Sequence, residues 1–74
     1  MKTKRFVYEH ANWKLKELSR YGINAEYQQE AERNINIVIK QCEYGYISID
    51  ECIRKISDPF ITDKSGKIIL HQEA

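Results

Sequence analysis

The sequence predicts a mainly α-helical protein, a compact unit of three short helices followed by a C-terminal β-hairpin. Apolar residues recur with a helical period of about 3.6 in three separate segments. Capping or helix-ending residues bound these segments. After Pro59 the pattern changes to two short apolar runs on either side of a turn sequence. We therefore expect helices at about 7–21, 25–43 and 49–57 and a hairpin at about 60–70.

The central segment has the clearest periodicity in the chain. Its apolar side chains fall on one arc of a helical projection, at Tyr27, Ala31, Ile35, Val38, Ile39 and Cys42. Asn24 can cap the first turn through its side-chain oxygen, and Gly45 stands where a left-handed residue ends a helix. Residues 34–39 alternate polar and β-branched side chains, which would also suit a short strand, but the flanking signals favour the helix.

The first segment is less well defined at its start. Apolar residues share an arc from Val7 to Tyr21, and Gly22 provides a stop signal. Residues 1–5 contain three Lys or Arg residues, which oppose the positive end of a helix dipole, so we expect them to form an extended basic arm. In an alternative interpretation, Arg5–Glu9 is a short strand and Asn12 caps a shorter helix.

The third segment has the strongest local signature. Ser48–Glu51 is a capping box, in which Ser48 is the N-cap and Glu51 the third helical residue. The apolar residues that follow share one face, at Ile49, Cys52, Ile53 and Ile56. Pro59 disfavours helix at the residue before it and so ends the segment.

The hairpin prediction rests on the turn sequence between two apolar runs. Phe60–Thr62 and Lys67–Leu70 would be the strands, with Asp63 starting the turn and Gly66 in the left-handed position of a type I turn with a bulge. An isolated hairpin is barely stable in water. It would therefore have to pack on the helices, pair with the N-terminal arm or pair with another copy.

The size of the chain limits its core. Its 74 residues are enough for one small domain, which we expect to span 1–74 and to end in a frayed tail at 71–74. A chain of this length buries only about 60–65% of the surface that its unfolded state exposes. With 42% hydrophobic and 31% charged residues, its composition is that of a folded protein.

Charge is divided into blocks, although the net charge is only +1. Residues 1–20 carry six Lys or Arg and two acidic residues, which gives +4. Residues 21–51 carry two and six, which gives −4, and residues 52–74 carry four and three, which gives +1. Opposite blocks favour antiparallel packing of the first segment on the second, or pairing between copies.

The residue pattern excludes most catalytic and cofactor chemistry. The three glycines are isolated, so no glycine-rich loop can hold a phosphate. Cys42, Cys52, His10 and His71 have no metal-ligand spacing, and neither cysteine sits at a helix N-terminus, where its pKa would fall. We therefore expect no cofactor, no metal and no enzymatic activity.

The absence of a bilayer-length apolar run and of a secretory leader predicts a cytoplasmic protein. Cysteines in that compartment stay reduced, so we interpret Cys42 and Cys52 as buried thiols rather than as a disulfide.

An aromatic pair on the first helix is the best candidate for a binding surface. Phe6 and Trp13 are seven residues apart, with His10 between them and Arg20 beyond, on the side away from the apolar arc. The C-terminal segment could cover this surface, or a second protein could bind it. The candidate partner-binding residues, including the basic arm, are Phe6, His10, Trp13, Arg20, Lys2, Lys4 and Arg5.

Two other surfaces remain as alternatives. The basic N-terminal segment could bind nucleic acid, with Phe6, Tyr8 or Trp13 stacking on bases, although the acidic block that follows and a pI of about 7.8 weigh against it. The acidic residues of the central helix could instead contact a basic partner. They are Glu26, Glu30, Glu32 and Glu43.

In its length and its frequent Ile, Lys, Asn and Tyr residues, the chain resembles the small accessory and host-takeover proteins of phages that infect low-GC Gram-positive bacteria. The resemblance covers the whole chain and involves no motif, so it transfers no functional residue. It implies a protein that binds and inhibits a host protein of replication, transcription or defence in the host cytoplasm. We therefore expect a non-enzymatic protein-interaction module, either monomeric or homodimeric.

Overall fold

Three helices make up most of the computed structural model, which describes residues 4–70. They are α1 (Lys4–Arg20), α2 (Ala25–Glu43) and α3 (Ile49–Ser57). Each helix packs against the other two. The predicted mainly α fold is therefore confirmed, and the bounds of α2 and α3 agree with those expected.

The core is small and lies where the three helices meet. Its buried cluster consists of Val7, Ala11, Ile35, Cys42, Cys52 and Ile56. Ile35, Cys52 and Ile56 are the largest fully buried side chains. Apolar residues at the edge of the cluster, among them Leu15 and Val38, are only partly buried. Polar contacts between the helices therefore have a larger share in fixing their arrangement than in a bigger domain.

Polar contacts at both ends of the α1–α2 pair show that these helices run antiparallel. The Tyr8 hydroxyl donates to the Glu43 carboxylate near the start of α1 and the end of α2. At the other end, the Gln28 side-chain amide donates to the Leu15 carbonyl at 3.2 Å. This is one of the two arrangements that the opposite charge blocks favour.

The predicted caps are confirmed. The Asn24 side-chain oxygen accepts from the backbone N–H of Glu26 at 3.1 Å, and the Ser48 hydroxyl accepts from the backbone N–H of Glu51 at 3.1 Å. Each bond satisfies a backbone donor that the first turn of a helix leaves without a partner. Gly45 ends α2 with φ of +81°.

The end of α2 is a Schellman motif. The backbone N–H of Gly45 donates to the Cys42 carbonyl at 3.1 Å, and that of Tyr46 donates to the Gln41 carbonyl at 2.9 Å. These bonds satisfy the last carbonyls of the helix and turn the chain toward α3. The motif requires the left-handed conformation that Gly45 adopts.

The start of α1 differs from the prediction. The helix begins at Lys4 rather than near residue 7, so Lys4 and Arg5 are helical and do not belong to an extended arm. The alternative strand at Arg5–Glu9 is likewise wrong. The unfavourable dipole interaction of two cations is offset by the ion pair between Arg5 Nε and Glu9 Oε1 at 3.3 Å and by the burial of Val7. Lys2 and the predicted frayed tail at 71–74 lie outside the described residues.

The predicted β-hairpin at 60–70 is wrong, because the described residues contain no strand. A single antiparallel bridge joins Thr62 to Ile68, flanked by a 2.7 Å bond from the backbone N–H of Ile69 to the Ile61 carbonyl. The residues that were to supply a further strand are helical, and two short chain segments alone cannot sustain a ladder.

The turn within this segment forms as the sequence indicates. Gly66 adopts φ of +87°, and Asp63 Oδ1 accepts from the backbone N–H groups of Ser65 at 2.9 Å and Lys67 at 3.0 Å. The Ser65 hydroxyl also donates to Asp63 Oδ1 at 2.6 Å, and it is the largest cause of the lowered pKa of the Asp63 carboxyl. Turn chemistry was therefore predictable here, whereas strand pairing was not.

The C-terminal segment is held on α2. The buried Asn34 amide donates to the Pro59 carbonyl at 2.7 Å and to the Glu30 carboxylate at 3.2 Å. One residue further along, the Phe60 ring packs edge-on against Tyr27 with a centroid distance of 6.3 Å. The described C-terminal residues thus lie beside α2.

Replacing Gly45 by alanine is expected to lower the free energy of unfolding by about 1 kcal/mol, because an L-residue is strained in the left-handed conformation. No heavy atom lies within 4 Å of the added Cβ, so the cost is one of backbone conformation alone. Urea unfolding followed by circular dichroism measures it. Gly45→Asn is the control, since asparagine tolerates this conformation better, and equal losses in the two variants would contradict the explanation.

Replacing Asn34 by alanine is expected to cost about 2 kcal/mol of unfolding free energy, because it leaves the Pro59 carbonyl and the Glu30 carboxylate without this donor in a buried site. Asn36→Ala is the matched control. Asn36 lies on the same helix but is exposed, so its loss should stay within about 0.5 kcal/mol. The same urea titration compares them, and similar losses would show that the Asn34 contacts contribute little.

Candidate functional site

Three aromatic side chains form a stacked row on α1. We call Phe6, His10 and Trp13 the aromatic row. The Phe6 and His10 ring centroids are 6.2 Å apart with planes at 7°, and those of His10 and Trp13 are 5.1 Å apart with planes at 26°. The spacing of four and then three residues places them on neighbouring turns of one helix side. Phe6 is 43% exposed and Trp13 51% exposed.

The centre of the row is fixed to α3. His10 Nε2 lies 2.9 Å from the Ser57 hydroxyl, which itself donates to the Ile53 carbonyl at 2.9 Å. The single hydroxyl hydrogen of Ser57 can serve only one of these two contacts, so when Ser57 donates to Ile53, His10 donates from Nε2. In either arrangement the contact holds the His10 ring against the end of α3.

His10 is held toward its neutral form. Its partial burial lowers the pKa of the imidazole, and the nearby Lys14 charge lowers it further, while Glu17 acts in the opposite direction. At neutral pH the middle of the aromatic row is therefore uncharged. The row offers apolar rings with one polar edge that is already bonded to Ser57.

The cations of α1 other than Lys4 divide into two groups. Arg5 pairs with Glu9, and Lys14 pairs with Glu17 at 3.2 Å while its Nζ lies 5.8 Å from the centroid of the Trp13 ring. The second group is Lys16 and Arg20, which are exposed and have no ion pair within residues 4–70. Positive charge that is not already neutralised is thus concentrated on the C-terminal half of the helix.

The predicted partner-binding residues fall into separate places. Phe6, His10 and Trp13 come together as expected, and Arg20 follows seven residues after Trp13 on the same side of the helix. Lys4 borders a small crevice between α1 and α2, away from the row. Arg5 is bound to a neighbouring carboxylate.

The four acidic residues of α2 do not form a continuous surface. Glu30 is only 4% exposed and contacts Asn34. Glu43 accepts a hydrogen bond from Tyr8, and this bond is the main reason that the pKa of the Tyr8 hydroxyl is raised. Glu26 and Glu32 are exposed. The alternative acidic face is therefore reduced to two separate carboxylates and the partly engaged Glu43.

The burial of Glu30 and Asn34 was missed from the sequence. Glu30 lies three residues after Tyr27, and Asn34 lies three after Ala31, so helical spacing places both on the apolar arc. Glu30 was predicted to lie among the exposed acidic residues of the central helix, and no side was predicted for Asn34. Spacing was the better signal, since buried polar groups are tolerated where they are hydrogen-bonded.

Two open grooves were also missed. One, of about 370 Å³, runs between α1 and α2 and has Ala11, Leu15 and Ile39 on its apolar side. The other, of about 400 Å³, lies between α2 and the C-terminal segment, with Ile37 and Ile61 partly exposed along it. Grooves between elements depend on tertiary packing, so no local sequence signal indicates them.

Two tyrosines in the α2–α3 connection form a further exposed aromatic pair. The ring centroids of Tyr44 and Tyr46 are 6.1 Å apart, and both side chains are largely exposed. They flank Gly45, so the predicted helix end could have indicated their exposure.

Cys52 has the chemistry of a buried structural thiol. Burial and the neighbouring Cys42 raise the pKa of the Cys52 thiol to about 11, and Cys52 Sγ points to the Val38 carbonyl at 3.8 Å. A thiol that keeps its proton at neutral pH is a poor nucleophile and a poor metal ligand. Within residues 4–70, no three His, Cys, Asp or Glu side chains converge in a way that could hold a metal ion.

Of the helices in the described range, none has the combination of length and apolar character needed to cross a bilayer. Comparison with protein-family models, curated proteins and solved structures gave no match.

Raising the pH from about 9 to 11 is expected to weaken the fold through Cys52. The folded thiol keeps its proton up to a pKa of about 11, compared with an ordinary value of 9.0, so in this window the unfolded chain binds fewer protons and stability falls. The slope approaches about 1.4 kcal/mol per pH unit. Urea unfolding at several pH values measures it for the wild type and for Cys52→Ala.

The variant serves as the control, because every other titrating group is common to both proteins. The stability advantage of the wild type over Cys52→Ala should therefore shrink across the window. An advantage that stays constant from pH 9 to 11 would contradict the raised pKa.

Proposed function

We propose that this chain is a non-enzymatic protein-interaction module that binds a partner protein through the aromatic row. The observation that supports this most directly is Trp13, which is 51% exposed while its ring is held in a stack with His10. Tryptophan at the centre of an interface commonly provides a large part of the binding energy. A half-exposed tryptophan on a helix of such a small domain is a surface that a partner can bury.

The fixed geometry of the row favours binding. His10 is bonded to Ser57, and the rings on either side stack against it, so few side-chain rotamers are lost when a partner docks. An interface whose side chains are ordered beforehand loses less entropy on association.

The identity of the partner is proposed on other grounds. The resemblance in length and residue usage to small phage accessory proteins favours a host protein of replication, transcription or defence, which the chain would bind and inhibit in the host cytoplasm. Inhibition would follow from occupation of a surface that the host protein needs.

Ion pairing on α1 argues for a protein partner over nucleic acid. Arg5 and Lys14 are already paired with Glu9 and Glu17, so half of the α1 cations near the row would lose a carboxylate partner on binding phosphate. The two carboxylates would also face the nucleic-acid backbone and repel it. A protein surface can avoid both conflicts.

Replacing Trp13 by alanine is expected to leave the fold intact and to weaken partner binding by about 2 kcal/mol, or about thirtyfold in Kd. The partner is first isolated from host lysate by affinity capture on the tagged wild-type protein and identified by mass spectrometry. Isothermal titration of the purified partner then measures Kd, and circular dichroism checks the fold of each variant.

Ile37→Ala is the matched control, since Ile37 is also a large exposed apolar residue but lies on α2 in the groove beside the C-terminal segment. Its Kd should stay close to that of the wild type. Equal affinities of the wild type and Trp13→Ala, or unfolding of Trp13→Ala, would refute the assignment of this site.

A further inference from the structure

We propose that the partner docks on α1 through an acidic surface, with an apolar cavity for Trp13 and carboxylates opposite Lys16 and Arg20. This inference rests on the proposed function, because it assigns a chemistry to the partner of the same site. Its basis is the positive charge of Lys16 and Arg20, which lie near the aromatic row and have no ion pair within residues 4–70.

The helix α1 is positively charged. Between Lys4 and Arg20, α1 carries five Lys or Arg residues and two Glu residues, for a net charge of +3. The ion pairs of Glu9 and Glu17 neutralise one cation each. The remaining positive charge belongs to Lys4, Lys16 and Arg20, and Lys4 lies away from the row beside the α1–α2 crevice.

Two of these cations, Lys16 and Arg20, lie close to Trp13 on α1. Lys16 and Arg20 follow Trp13 by three and seven residues, so on an α-helix they lie on the same side as its ring. Both are exposed and have no ion pair within residues 4–70. A partner that buries Trp13 must therefore approach both cations. Carboxylates of the partner at these positions would strengthen binding, and cations would weaken it. The planar guanidinium of Arg20 is well suited to a bidentate bond with a carboxylate.

A second copy of this chain is a less favourable partner for α1 than an acidic protein. Two copies meeting through α1 would each bring Lys16 and Arg20 to the same interface, while the α1 carboxylates Glu9 and Glu17 are already paired with Arg5 and Lys14. The carboxylates that could compensate are dispersed, because Glu30 is buried and Glu43 already accepts a bond from Tyr8. The charge pattern therefore favours a different, acidic protein.

The test selects random peptides displayed on yeast against the labelled full-length protein, with four versions as bait. These are the wild type, Trp13→Ala, the double variant K16E/R20E and the control K40E/K64E. The control reverses two exposed cations outside the proposed site and changes the net charge by the same amount. Circular dichroism verifies that all four fold.

The wild type is expected to enrich peptides that combine acidic residues with a bulky apolar residue. Their binding should be lost with Trp13→Ala and retained with K40E/K64E. It should fall about tenfold or more with K16E/R20E, because two exposed ion pairs are replaced by two repulsions. Selection on K16E/R20E itself should shift the enriched peptides from acidic to basic.

Enrichment of Trp13-dependent peptides that are neutral or basic would overturn the acidic-partner inference while leaving the proposed function standing. Absence of any Trp13-dependent peptide would overturn the proposed function together with the inference. Two further measurements also decide against an acidic protein. They are a Trp13-dependent doubling of mass in analytical ultracentrifugation, and Trp13-dependent binding of single-stranded DNA in fluorescence anisotropy.

Discussion

Too few apolar side chains are buried in this chain for hydrophobic packing alone to fix three helices, and the rest of the structure depends on that constraint. Polar contacts between residues distant in sequence join α1 to α2, α1 to α3, and α2 to the C-terminal segment. Tyr8 bonds Glu43 across α1 and α2, and His10 bonds Ser57 across α1 and α3. Asn34 bonds the Pro59 carbonyl between α2 and the C-terminal segment. Because hydrogen bonds are directional and hydrophobic contacts are not, these bonds fix the relative orientation of elements that a small apolar core holds together only loosely.

The helices could largely be predicted because their signals are local. Caps at Asn24 and Ser48 and the stop at Gly45 involve neighbours within a few residues, and all three form as expected. The start of α1 was predicted wrongly because the cost of cations near a helix N-terminus is only about 0.3–1 kcal/mol, and a helix from Lys4 lets Arg5 pair with Glu9 and Phe6 stack on His10. The hairpin failed because a strand needs a neighbour, and the residues around Arg5 became helix.

In the candidate site, too, the local features could be predicted from the sequence and the long-range contacts could not. The aromatic row follows from spacing along α1 alone, so the sequence was enough to bring Phe6, His10 and Trp13 together. The bond between His10 and Ser57 spans 47 residues, and no local pattern indicates it. The burial of Glu30 was missed although helical spacing places this residue on the apolar arc of α2. Sequence reasoning therefore found the exposed rings but neither the contact that orders them nor the loss of the acidic face.

Because His10 is bonded to Ser57, substitutions at His10 and at Trp13 are expected to affect the fold differently. His10 joins the aromatic row to α3, so a substitution there disturbs the position of α3 as well as the row. Trp13 contacts His10 and Lys14, which are on its own helix, and Arg20 lies beyond it on the same side of α1. Substitutions at Trp13 and Arg20 can therefore change the surface of α1 while α3 keeps its position, whereas a substitution at His10 changes both.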